Sequence, residues 1–289
     1  MVNSASPTSG GLDLVLSLQP EPPRRRHWRR WLFLLLVLVL LACAGLIWLR
    51  DMRMTPHHRA VPAGPPPFEV ELLDVAPGNA IPIAGPAVPA DLPGPADPRT
   101  RWINTLSAHT DIPRRALSAY VRAEAMLATS TPSCRLAWTT LAGIGWVESR
   151  HGEYHGDTLL ADGTEQDPII GPALDGSPGR QRIADTDHGT LDQDPVWDHA
   201  LGPMQFLPST WAKWGLRASG DGKPADPQDI DDAALTAGRY LCASGGDLGT
   251  PAGWWKATFV YNNSVSYGQT VFSGANAYAL ASRAVSAGR

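Results

Sequence analysis

The sequence predicts a mainly α-helical protein: one helical domain of about 190 residues, carried behind a membrane-spanning helix and a proline-rich tether. Three observations predict it. After residue 110, apolar residues recur at helical spacing in several capped segments, and no segment sustains the alternation of a strand. Residues 31–49 form a nineteen-residue stretch without a charge, the length a helix needs to cross a bilayer. Residues 50–100 then hold 12 of the 27 prolines, which favours extended backbone and forbids helix or sheet interiors. With 43% hydrophobic residues and eleven tryptophans the 289-residue chain has ample material for a core, which excludes whole-chain disorder. A net charge of −4 argues against a nucleic-acid binder, and three cysteines are too few for a disulfide-built miniprotein or a four-cysteine zinc site.

Taken in order, residues 1–30 end in Arg24, Arg25, Arg26, Arg29 and Arg30, whereas Arg50, Arg53 and Arg59 follow the apolar stretch. This bias puts the N-terminus in the cytoplasm and everything after residue 49 outside it. Trp28, Trp31 and Trp48 stand near the ends of the span, where indole rings suit the interface. A cleaved signal peptide and lipidation at Cys43 are the alternatives, and both also export the remainder. Residues 50–100 read as an extracytoplasmic linker, with room for a short strand near 68–73, and 101–289 as the working domain.

Within that domain, Asp111 reads as an N-cap and Pro113 as the first turn of a helix running to about Ala128 through Leu117, Tyr120, Val121, Ala125 and Met126. A second helix, 135–149, has apolar residues on every face and belongs at the centre. Further helices are expected at 209–215, 229–243, 251–261 and 265–282. Residues 153–199, rich in Gly, Asp and Pro, read as a long functional loop. Cys134 and Cys242 would both lie in an exported compartment and are expected to pair, the alternative being two buried thiols.

The chemistry begins at Gly145-Trp146-Val147-Glu148-Ser149-Arg150-His151-Gly152. A carboxyl at the end of a nearly apolar helix is partly desolvated, which raises its proton affinity towards working pH and suits a general acid. A salt-bridged helix end is the competing reading. Next comes Gly202-Pro203-Met204-Gln205-Phe206-Leu207-Pro208-Ser209-Thr210-Trp211, a compact turn with an amide and aromatic groups of the kind that recognise sugars. A third segment, Phe259-Val260-Tyr261-Asn262-Asn263-Ser264, ends a helix with a phenol and two amides.

In this order the three segments resemble the lytic murein transglycosylases, especially the B-type branch and its actinobacterial relatives, over about residues 111–282. The resemblance implies a lysozyme-like helical domain that needs no cofactor and remodels the cell wall. It would cleave the β-1,4 bond between N-acetylmuramic acid and N-acetylglucosamine in peptidoglycan, leaving 1,6-anhydro ends. It implies Glu148 as the catalytic acid/base, and it implies substrate contacts from Ser149, Met204, Gln205, Phe206, Tyr261 and Asn262, with Tyr261 facing Glu148 and Trp211 packing. Glycan strands are the implied partner, with the membrane engaged through 31–49, no nucleic acid, and cell-wall synthesis or division proteins as unidentified candidates. The 153–199 insertion has no counterpart motif.

A hydrolytic muramidase of the same fold would need a second carboxylate; Glu153 is poorly placed beyond Gly152, whereas Asp198 or a loop aspartate could approach. A non-catalytic wall-binding protein is the alternative from a different class. Glu148, His151 and His155 are interrupted by Gly152 and Gly156 and lack a zinc-peptidase motif. Asp185, Asp187, Asp192 and Asp194 offer a weak calcium loop without the twelve-residue register, against which stands a solvated acidic loop.

Overall fold

A computed structural model of the chain describes residues 31–36, 38, 68–83, 85 and 97–287. Met1–Pro65 and Pro66–Arg289 are separate compact units. In the first, only 31–36 and 38 are described, and they are helical and exposed. The expected span 31–49 therefore lies mostly outside the described residues, as does Cys43; no helix among the described residues is long and apolar enough to cross a membrane.

The second unit is helical: α1 Pro98–His109, α2 Arg114–Ser130, α3 Trp138–Ser149, α4 Pro208–Trp214, α5 Ile230–Gly245, α6 Pro251–Tyr261 and α7 Val265–Ala287. Strand-like pairing among the described residues is confined to isolated antiparallel bridges. Helix α1 falls where the tether was expected to end. Asp97 caps it by accepting from the Thr100 amide at 3.0 Å, with Pro98 in its first turn. At α2 the expected cap is replaced: Pro113 occupies the N-cap position, and Asp111 instead accepts from the Tyr278 hydroxyl at 2.8 Å.

Helix α3 is the axis of the domain, and every residue from Trp138 to Gly145 is buried, as its apolar circumference requires. It begins three residues later than its sequence suggests, because a 3-10 turn at Pro132–Cys134 and the left-handed Arg135 (φ 52°) precede it. Helix α7 lies along α3 at a spacing that only glycine permits. A Cβ on Gly143 would sit 2.5 Å from the Val271 carbonyl oxygen. Helices α2, α5 and α6 complete the packing around Leu117, Leu141, Leu235, Leu241 and Trp254.

Two features fasten this bundle. Cys134 and Cys242 form a disulfide with Cα atoms 5.3 Å apart, joining the start of α3 to the end of α5. Residues 68–83 form an extended strap on the bundle. Leu73 donates to Ser273 Oγ at 2.9 Å, Ala80 O accepts from the Trp255 indole at 2.9 Å, and Phe68 stacks on Tyr278 at 5.3 Å. The strap has no strand partner, and the folded unit thus includes part of what composition marks as linker.

Candidate active site

Helix α3 ends abruptly after Ser149. Arg150 and His151 adopt left-handed backbone (φ 54° and 64°), and their amides turn back to Trp146 O and Gly145 O at 3.2 and 2.9 Å. Glu148 thus stands in the last helical turn, where the helix dipole opposes a negative charge. As a residue Glu148 is of intermediate exposure. Burial raises its carboxyl to about 7, against the opposing effect of one hydrogen bond from Tyr267, whose hydroxyl donates to Glu148 Oε1 at 2.5 Å. Tyr267 lies in the first turn of α7, where its amide donates to Ser264 Oγ.

The Gly-Pro-Met-Gln segment is a tight hairpin. Leu201 and Phe206 exchange backbone hydrogen bonds of 2.8 and 2.9 Å, with Gly202 and Gln205 both at positive φ. Gly202 is required twice over: its φ is +69°, and a Cβ there would lie 1.8 Å from the Pro227 carbonyl oxygen. Two side chains pin the tip. The Ser149 hydroxyl donates to Pro203 O at 2.7 Å while accepting from the Gly152 amide, and the Tyr261 hydroxyl donates to Met204 O at 2.7 Å.

The three motif segments therefore meet, but several side chains do other work than the resemblance implies. Ser149 is buried and its hydroxyl fully engaged, so it fixes the hairpin to α3 rather than facing a sugar. Met204 and Phe206 are core residues at 0% and 3% exposure, so the Met204 side chain is closed to substrate and Phe206 packs against Trp211 and Tyr261. Tyr261 bonds to the hairpin carbonyl, and the phenol on the acid is that of Tyr267. Gln205 is half-buried and turns its amide onto Gly202 O at 3.0 Å. Asn262 is exposed at the C-cap of α6. Tyr267 was not legible beforehand because it lies outside the Tyr-Asn motif; its one signal is a second phenol six residues after Tyr261.

The aspartates of the insertion build turns. Asp185 accepts from the amides of Asp187 and Gly189, Asp187 from Thr190 and Leu191, Asp192 from Asp194 and His199, and Asp194 from Val196 and Trp197. The carboxylates that come together are those of Asp185, Asp187 and Asp198, within 4.8 Å, rather than the four in the expected loop. Asp198 is fully buried and accepts from the Thr186 amide and hydroxyl. His151, between Tyr120 (3.1 Å) and Tyr278 (2.8 Å), has both ring nitrogens engaged, and burial lowers its pKa to about 3. Because Tyr278 donates to Asp111, His151 Nε2 is the donor to Tyr278 and Nδ1 accepts from Tyr120.

Glu165, in the insertion, is a second unusual carboxyl. It is 6% exposed, neither oxygen has a hydrogen-bond partner among the described residues, and Oε1 would lie 2.6 Å from a Cβ on Gly152. Burial, helped by Asp157, raises it to about 8. The folded state therefore holds this proton where the unfolded chain, at the ordinary 4.5, has released it. Stability is expected to decline as pH rises from about 5 to 8, and thermal unfolding of Glu165→Gln should show a flatter decline across that window. A variant with the same slope as wild type contradicts the assignment.

No protein-family model matches the chain, and no curated protein matches it. Two solved structures are similar to it, both of the lytic transglycosylase Slt35 of Escherichia coli. The complex with bulgecin A has 17% sequence identity over 66% of this chain and 81% of that one, with a TM-score of 0.37. The complex with calcium has 15% identity over 63% of this chain and 80% of that one, with a TM-score of 0.36.

Proposed function

We propose that the chain is a peptidoglycan lytic transglycosylase that cleaves the bond between N-acetylmuramic acid and N-acetylglucosamine with Glu148 as the single acid/base. The observation that carries this reading is the state of Glu148: a carboxyl on a residue of intermediate exposure, raised to about 7 by burial and held by the Tyr267 phenol. Near neutral pH such a group is populated in both protonation states, as a residue that gives and then takes a proton must be. The ordered motifs around Glu148, Gln205 and Tyr261 supply the substrate class.

In the proposed reaction, Glu148 gives its proton to the glycosidic oxygen as the bond from the muramic anomeric carbon breaks. The carbon-6 hydroxyl of the same sugar then bonds to that carbon, and its proton returns to Glu148. No water is consumed, and one carboxylate suffices where ordinary glycosidases need two. Tyr267 steadies the carboxylate between the two steps. The charge bias around 31–49 supports a cytoplasmic N-terminus and an extracytoplasmic domain, and the Cys134–Cys242 disulfide suits an oxidising compartment.

The test is digestion of isolated peptidoglycan by the full-length chain. Anhydromuropeptides are expected, whereas reducing muramic ends would assign hydrolysis and absence of any product would assign a binding role. Tyr267→Phe supplies a second check. The lost hydrogen bond favours the ionised form, so its removal raises Glu148 further, and the alkaline limb of kcat/KM against pH should move to higher pH. An unmoved limb contradicts Glu148 as the titrating acid.

A further inference from the structure

The strap, residues 68–83, grips α7, the helix that delivers Tyr267 to Glu148. On its way out along α7, Phe68 stacks on Tyr278, the Leu73 amide donates to Ser273 Oγ, and Asp74 Oδ1 and Val75 O accept from Gln269 Nε2 at 2.9 and 3.3 Å. It then turns at Ala76-Pro77-Gly78-Asn79, where Asn79 N donates to Ala76 O at 3.2 Å and Gly78 takes positive φ (80°). On the way back Ala80 O accepts from the Trp255 indole, and the Ile83 amide donates to Asn276 Oδ1 at 3.3 Å. Elsewhere α7 packs on α3, through Gly143 and through Gly274, where a Cβ would lie 3.1 Å from Trp146 Cε3. Helix α7 is thus held by α3 and the strap together.

The grip falls on the two residues directly after Tyr267. Gln269 is bonded to the strap itself. Gly268 lies against Trp255, with 2.7 Å between ring Cζ3 and the place of a Cβ, and the N–H of that same ring is held by Ala80 O. A further contact reaches the helix of Glu148: the Tyr278 ring under Phe68 accepts from His151, in the left-handed turn that closes α3. The first turn of a helix has few hydrogen bonds of its own, so what packs on it sets its place. We propose, resting on the function above, that the strap is a positioning segment of the active site: by holding Gln269 and Trp255 it fixes the Tyr267 hydroxyl on Glu148, and full turnover requires it docked. A hydrogen bond weakens steeply with misalignment, so a small displacement of this turn is enough to loosen the phenol from the acid. Part of what composition marks as linker thereby belongs to the catalytic machinery.

The test uses the full-length chain with glycan strands as substrate. Phe68→Ala combined with Asp74→Ala should lower kcat about tenfold, leave KM within about twofold, and move the alkaline limb of kcat/KM to higher pH, the direction expected for Tyr267→Phe. Asp74→Ala alone, at an exposed residue, should give a smaller shift of the same sign, and Asp74→Asn, which keeps an acceptor for Gln269, should match wild type. In a Tyr267→Phe background the strap variants should move the limb no further, because the bond they act through is gone. A lower unfolding temperature with an unmoved limb, or a shift that adds in full to that of Tyr267→Phe, overturns the positioning role. Nuclear magnetic resonance titration of a chain carrying heavy-carbon glutamate, with Glu148 assigned by the signal lost in Glu148→Gln, reads the same coupling without substrate. A wild-type chain that cleaves no glycan while its Glu148 titration shifts in the strap variants sinks the reaction and keeps the strap's role, whereas active chains with an unshifted titration keep the reaction and sink the strap.

Discussion

Replacing Glu148 by glutamine is expected to lower glycan cleavage by about 100- to 10,000-fold, the range that a positioned acid/base contributes. The substitution keeps the size and a hydrogen-bonding side chain and removes the acidic proton that Glu148 would transfer. It should not weaken the fold. Because burial holds the Glu148 carboxyl at about 7 against an ordinary 4.5, the native state keeps its proton where the unfolded chain has lost it, and stability falls as pH rises through that interval. Glutamine has no such penalty, so the variant should unfold at an equal or higher temperature than wild type at pH 8. Dead and equally stable is the expected pair of results; retained turnover, or loss of both together, contradicts the role assigned to Glu148.

The second large effect concerns stability. Cys134 and Cys242 are 108 residues apart in sequence, and the loop they close contains α3, the insertion, the hairpin, α4 and most of α5. Opening it restores freedom to the unfolded chain, worth about 4 to 5 kcal/mol for a loop near 100 residues. Paired Cys134→Ser and Cys242→Ser substitutions should therefore lower the thermal midpoint by about 10 °C or more. The same fall should follow treatment of the wild type with a reductant. Equal midpoints for oxidised and reduced protein contradict the bond's contribution.

The central helix was legible because a run from Trp138 to Gly145 with no polar face has one place to go in a small domain. The hairpin was legible as a turn because Gly202-Pro203 demands one. Side-chain assignments around it were less so. Ser149 and Tyr261 each have one hydroxyl, and sequence does not reveal whether it meets a ligand or a backbone carbonyl; here both meet the hairpin. Tyr267 is hidden for a related reason, since a phenol in the first turn of a helix carries no mark of the carboxyl it reaches across 119 residues. Residues 68–83 are extended, and their docking rests on Phe68 meeting Tyr278, Leu73 meeting Ser273 and Ala80 meeting Trp255, pairings that sequence spacing does not reveal. The aspartates of the insertion resemble metal ligands because the same short carboxylate caps turns, and backbone amides take up most of their oxygens.

The most direct test of the account is the fate of solvent oxygen during cleavage. Peptidoglycan digested by the full-length chain in heavy-oxygen water should give anhydro-muramic ends with no incorporated label, because the carbon-6 hydroxyl is the nucleophile. Muramic reducing ends carrying one heavy oxygen that cannot be exchanged in after cleavage would contradict it and assign the attack to water.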